Sequence, residues 1–183
     1  MPISATVVGD RGYVWDAEGA TWLRRHCRVV GAMSGNSAEH KQHNSAGGLP
    51  CELNPEELQL ALRQGWVVLQ QTASLPADAA ALSADAMQAE QPIFSELHSK
   101  GYYITDGAKF GADYLLYPGD PLLFHAQFTV RILEHDTPIK PALLAGSARG
   151  SHAARKHLLL ASVDGAAASF ITVAPEGGFG STG

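Results

Sequence analysis

Nowhere does the chain carry an apolar run near the about 20 residues needed to cross a bilayer, so no membrane partner is expected. Its opening, MPISATVVGDRGYVW, lacks the basic-then-apolar order of a secretory leader, which points to a chain that stays inside the cell. Basic residues are in the minority: 13 Lys and Arg against 18 Asp and Glu leave a net charge of −5. That balance argues against broad, sequence-independent binding to nucleic acid, which needs many cations to neutralise phosphates. Cysteine is scarce as well. Zinc signatures repeat a tight ligand pair, and Cys27 and Cys51 cannot supply one; His40 and His43, three apart in a polar stretch, do not make up the deficit. No metal is expected, and the two thiols read as reduced and semi-buried. No glycine loop ends in Lys-Ser or Lys-Thr, and Gly107–Gly111 is too short to cradle a phosphate. No Gly-x-Ser-x-Gly elbow occurs. The carboxylates Asp113, Asp120 and Glu134 are not singled out by their spacing.

What is present is a soluble-type composition, 45% hydrophobic and 17% charged, sized for one ordinary domain or two small ones. The first 91 residues carry six Lys/Arg against ten Asp/Glu; the remainder carries seven against eight, with Arg149, Arg155 and Lys156 close together. An RNA partner would therefore have to meet a local patch. The β-prone runs Ala5–Val8 and Tyr13–Trp15 flank a turn at Gly9–Gly12. Asp16 is placed to cap a helix over Ala17–Cys27, and Arg28–Ala32 reads as a strand. Ser34–Gly48 reads as a loop. Asn54-Pro55-Glu56-Glu57 is a strong helix start, with a stop near Gln64-Gly65 and a strand at Trp66–Leu69.

Residues 73–91 are alanine-rich, acidic and without aromatics, which makes them a candidate linker between domains at 1–72 and 92–183. The second domain opens on a short amphipathic helix from Pro92 to Gly101. Strand candidates follow at Tyr102–Thr105, Tyr114–Tyr117, Phe124–Leu133, His157–Val163 and Phe170–Val173, with one helix around Lys140–Ala145. Strands on both sides of a single helix predict a mixed α/β sheet and not a series of parallel crossovers.

The passage from Lys109 to Ala126 holds the densest chemistry. A strand ends at Tyr117, Pro118-Gly119-Asp120-Pro121 reverses the chain, and the next strand starts beside His125. From the residues alone, Tyr117 is a half-buried strand tyrosine and His125 a core histidine among apolar neighbours. His152 and His157 read as surface or strand-edge residues.

This passage, Lys109-Phe110-Gly111 leading into Asp113-Tyr114-Leu115-Leu116-Tyr117-Pro118-Gly119-Asp120-Pro121 and Phe124-His125-Ala126, resembles the signature of the tRNA-splicing endonuclease catalytic domain. Its Tyr-Pro-Gly-Asp-Pro turn is most similar to the subunit assigned to the 3′ splice site. Arg149, followed seven residues later by Lys156 and the apolar run Leu158–Leu160, resembles the family's second block. Tyr13–Asp16, His26–Gly31 and Gly48–Pro50 resemble the N-terminal half of the same subunit more loosely.

The resemblance implies a small mixed α/β N-terminal domain followed by an α/β nuclease domain of the restriction-endonuclease-like type. It places three catalytic groups on Tyr117, His125 and Lys156, and makes Arg149, with Arg155 beside it, the candidate RNA-binding residue. In the family the C-terminal strand usually adds a second aromatic or arginine to the grip on RNA, yet neither tryptophan nor arginine stands in Phe170–Pro175. The implied reaction needs no cofactor or metal: the RNA 2′-hydroxyl attacks the adjacent phosphate, giving a 2′,3′-cyclic phosphate and a 5′-hydroxyl. Histidine, ordinarily titrating near ~6.5, suits the acid. Tyrosine, near ~10, serves as base only where cationic charge stands close, and a lysine supplies that charge while neutralising the phosphate oxygens. The implied partners are precursor tRNA, a second catalytic subunit and two structural subunits, in the nucleus. Two other readings stay open: a non-catalytic structural subunit of the same complex, and a protein-interaction module of similar fold. A DNA endonuclease of like fold would instead need carboxylates and a divalent metal.

Overall fold

The computed structural model describes residues 2–35, 48–70, 92–165 and 167–173, and the chain divides into two compact units, Met1–Gln91 and Pro92–Gly183. The proposed linker at 73–91, His40 and His43 lie outside the described residues. Among the described residues no helix is long and apolar enough to cross a membrane.

In the first unit, strands β1 (Ile3–Val8) and β2 (Arg11–Val14) form the expected hairpin, with Val8 opposite Arg11 across Gly9-Asp10. Helix α1 (Ala17–Cys27) starts where Asp16 predicts: its carboxylate accepts the Gly19 N–H at 2.7 Å, supplying one of the acceptors a helix start lacks. Asp16→Ala is expected to cost about 1 kcal/mol, and Asp16→Asn much less. Urea unfolding followed by tryptophan fluorescence measures both, because Trp15, Trp22 and Trp66 all belong to this unit.

The helix does not run into a strand at Arg28. Arg28 takes the left-handed conformation (φ 54°), as does Gly31 (φ 59°), so the chain bends twice before β3 (Ala32–Gly35). Strand β4 (Gly48–Leu53) follows, and both strands extend into what the composition suggested was loop. Helix α2 (Pro55–Arg63) begins in a complete capping box between Asn54 and Glu57, and β5 (Val67–Leu69) closes the unit. The sheet order is β3-β4-β2-β1-β5, antiparallel except for the β1–β5 pair. Val14, Leu23, Val29, Leu53, Leu58 and Val67 fill one core with the two helices. Buried within this unit, Glu57 accepts hydrogen bonds from the N–H groups of Val30, Gly31 and Asn54.

The second unit opens on helix α3 (Pro92–Ser99), followed by β6 (Tyr103–Asp106), a single 3-10 turn (Ala108–Phe110), β7 (Tyr114–Tyr117) and β8 (Phe128–Ile132). Helix α4 (Pro141–Ala153) then leads to β9 (His157–Asp164) and β10 (Ala167–Val173). The order β10-β9-β8-β7-β6 is antiparallel except for β8–β9, the parallel pair that needs a crossover, and α4 supplies it. The helix is longer than the composition suggests. It passes through Gly146 and Gly150 because Ser151 docks on the sheet, its hydroxyl bonded to Thr129 Oγ1. Tertiary packing there outweighs glycine's roughly 1 kcal/mol helix penalty. Strand β8 is shorter than expected: Leu123 and Phe124 turn their N–H groups back to the Asp120 carbonyl, so pairing begins only at Phe128.

The two faces of this sheet are covered differently. Tyr114 meets Phe94 of α3 edge-to-face at 5.7 Å, whereas Thr129, opposite Leu115, meets α4. Alternation along β7 therefore puts Tyr117 on the α4 face.

Candidate active site

Three neighbouring strands end together beside Tyr117. It is the last residue of β7. In the next rung the Gln127 N–H donates to the Leu116 carbonyl at 2.8 Å, and the His157 N–H donates to the Gln127 carbonyl at 2.9 Å. The C-terminal end of β7 and the N-terminal ends of β8 and β9 thus form one rim. His125 lies two residues before Gln127, and Lys156 one before His157, so the fold brings Tyr117, His125 and Lys156 to the same edge of the unit.

Each is held by its local chain. After Tyr117 the reversal is set by Asp120, whose Oδ1 accepts the Leu122 N–H at 2.9 Å. A Cβ at Gly119 would fall 2.6 Å from the Phe124 ring, so a side chain there would push the ring aside. On the far side of His125, Ala126 is buried. His125 itself is exposed. The core reading of His125 is therefore corrected. Its apolar neighbours Leu122 and Leu123 are themselves 76% and 81% exposed, so they surround it in sequence and not in a core.

Lys156 follows Arg155, which adopts a left-handed φ of 55° at the end of α4. The Lys156 N–H returns to the Ser151 carbonyl at 2.9 Å. Its ammonium donates to the Ala154 carbonyl at 3.0 Å and lies 4.7 Å from the centroid of the Phe110 ring. Arg155 is exposed beside it, and Arg149 is exposed one turn before the end of α4. Residue-by-residue reading missed Phe110. The available signal was a lone aromatic in a turn otherwise built from small and charged residues.

A cavity of about 310 Å³ opens on the α4 face, lined among others by Phe110, Thr129, Arg131, Leu143 and Ser147. Neither Tyr117, His125 nor Lys156 lines it. The candidate site is an open rim, suited to a polymer and not to an enclosed small molecule. It offers a phenol, an imidazole and an ammonium, which can respectively take a proton, give one and stabilise negative charge. Neither cysteine competes as a nucleophile. Both are buried, and burial pushes each thiol up to about 11, against thiolate formation.

Two family models match the chain, one in each half. Residues 3–72 match the model of the TSEN34-like N-terminal domain, and residues 91–169 that of the tRNA intron endonuclease catalytic C-terminal domain. The chain is 39% identical over 70 residues to the tRNA-splicing endonuclease subunit Sen34 of Mus musculus, a stretch covering 38% of this chain and 22% of that protein. Over 72 residues it is 39% identical to the tRNA-splicing endonuclease of Saccharolobus islandicus, covering 39% of this chain and 40% of the other. Against the Saccharolobus solfataricus protein of the same name, identity is 38% over 72 residues with the same coverage. The matched stretch thus spans well under half the length of each relative.

Proposed function

The chain belongs to the tRNA intron endonuclease family, with an N-terminal and a catalytic domain of that family in order, and from this premise we propose that it cuts precursor tRNA at the 3′ splice site. In this reading residues 1–72 form the N-terminal domain, 73–91 join it to the rest, and 92–183 carry the chemistry. The observation that carries the reading is the shared strand-end rim, which gathers the ends of β7, β8 and β9 with Tyr117, His125 and Lys156 on them.

Tyr117 takes the proton from the 2′-hydroxyl as the O2′–P bond forms. Lys156 faces the non-bridging oxygens as charge accumulates on them. His125 gives its proton to O5′ as the P–O5′ bond breaks. The products are a 2′,3′-cyclic phosphate and a 5′-hydroxyl, and the proton balance closes without a metal.

Recognition must come from more than these three groups, because the chain carries net negative charge. Arg149 and Arg155, both exposed, are the RNA-gripping residues in this reading. The remainder comes from assembly with a second catalytic subunit and two structural subunits, in the nucleus. Strand β10 closes one edge of its sheet with Ile171 exposed, which suits the addition of a partner strand.

The test is cleavage of an intron-containing precursor by the full chain co-expressed with its partner subunits, in excess chelator. Cyclic-phosphate and 5′-hydroxyl ends are expected. Tyr117→Phe, which keeps the ring and removes the proton acceptor, is expected to slow the 3′ cut about 100-fold or more and leave the 5′ cut intact. Both cuts surviving at full rate would make this chain structural, and loss of native cleavage in chelator would overturn the metal-free chemistry.

A further inference from the structure

The Lys109-Phe110-Gly111 part of the signature has no role in the proton transfers, yet its turn is more closely fixed than a link between two hairpin strands requires. Asp106 Oδ1 accepts the Ala108 N–H at 2.6 Å. The N–H groups of Phe110 and Ala112 both return to the Gly107 carbonyl, at 2.8 and 3.2 Å. A Cβ at Gly107 would fall 2.9 Å from the Ala112 backbone, and Gly111 has a φ of 64°, so both glycines are required. Arg131 donates to the Gly111 carbonyl, and Asp113 Oδ2 accepts the Ile132 N–H at 2.7 Å, tying the turn to β8.

What all this holds in place is a phenyl ring 46% exposed and outside the buried core. Burial is therefore not the reason for the ring's position. Against it, at a centroid distance of 4.7 Å, stands the ammonium of Lys156, within the range of about 6 Å over which an aromatic face attracts a cation.

We infer that Phe110 is a positioning residue that, with the Ala154 carbonyl, holds the Lys156 ammonium where the phosphate is cleaved. This rests on the reading of Lys156 as the group that stabilises the phosphate charge. A lysine ammonium is a point charge on a flexible four-carbon stem, and nothing in its own stereochemistry aims it. It has three N–H groups. One goes to the Ala154 carbonyl, a second faces the ring, and the third is left for a non-bridging oxygen. Without the ring the stem spends more of its time elsewhere, so the loss falls on the chemical step and not on RNA affinity.

The experiment compares Phe110→Leu, which keeps apolar bulk and loses the π face, with Phe110→Trp, which keeps it. Both are measured as the full chain in the assembled enzyme, by single-turnover 3′ cleavage at saturating precursor. Phe110→Leu is expected to lower the rate about 3- to 10-fold with affinity unchanged within twofold, and Phe110→Trp to restore it. In a Lys156→Ala background, Phe110→Leu is expected to have no further effect, because the interaction it removes is already gone. Equal losses in both backgrounds, or no loss in the native one, would overturn the inference while leaving the role of Lys156 standing. If Lys156→Ala alone leaves the rate unchanged, the catalytic reading of the lysine fails and the inference fails with it. A second readout is independent of activity: the side-chain methylene signals of Lys156 should lie upfield from the ring current and return to ordinary positions in Phe110→Leu. No such displacement in the native protein would also overturn it.

Discussion

His125→Ala is expected to slow the 3′ cut by two to four orders of magnitude, roughly the contribution of one general acid, while the folded chain loses almost nothing. The second half of that expectation follows from the surroundings of the side chain. The imidazole is exposed, and the backbone on either side is set by Asp120, by the Phe124 ring over Gly119, and by buried Ala126, none of which needs the imidazole. Surface substitutions of this kind usually shift stability by less than about 0.5 kcal/mol. The thermal midpoint and RNA affinity should therefore match the native protein. Because the rim is open to solvent, imidazole added to the buffer should restore part of the rate to His125→Ala and none to Tyr117→Phe. Full activity in His125→Ala would remove histidine from the mechanism. An equal loss of thermal stability would instead make it a packing residue.

The parts of the fold legible in sequence were those specified locally. Asp16 begins α1, Asn54 and Glu57 begin α2, and the apolar spacing of β7 returns as Tyr114–Tyr117. Each depends on neighbours within a few residues. The misreadings depend on distant partners. Val29 and Val30 favour a strand by type, but Arg28 and Gly31 turn left-handed there, and Glu57 collects the Val30 and Gly31 N–H groups that a strand would have paired. Ser34–Gly48 reads as loop by composition, yet β3 and β4 reach into it at Gly35 and Gly48, which pair with each other. The site divides the same way. The residue types at Tyr117, His125 and Lys156 were readable from the motif, but exposure was not, since Leu122 and Leu123 look like core in one dimension. Phe110 was missed because its partner Lys156 lies on the far side of two strands and a helix in sequence.

The largest effect on stability is expected at Glu57, which holds the first unit together from inside. Its Oε1 accepts the Val30 and Gly31 N–H groups at 3.0 and 2.9 Å, and Oε2 accepts that of Asn54 at 3.2 Å while completing the α2 capping box. Glu57→Ala leaves three donors unpaired in a poorly hydrated place. Each unsatisfied buried group costs about 1–3 kcal/mol, so a loss of about 3 kcal/mol or more is expected, a large fraction of a small domain's stability. Glu57→Gln keeps the oxygen facing Val30 and Gly31 but turns an amide N–H toward that of Asn54, and should lose less. The two variants also separate by pH. Burial raises the Glu57 carboxyl above the ordinary range, outweighing the three N–H donors that favour the charged form. A raised folded value means that the native state holds the proton more tightly than the unfolded one. The stabilisation from this linkage is complete below the unfolded value of about 4.3 and is lost as pH rises through the folded value. Native protein should therefore lose stability across that window, whereas Glu57→Gln, with nothing to titrate, should not, so the gap between them narrows as pH rises. Urea midpoints read by tryptophan fluorescence follow this unit alone, and a gap independent of pH would mean that the carboxyl is not raised by its burial.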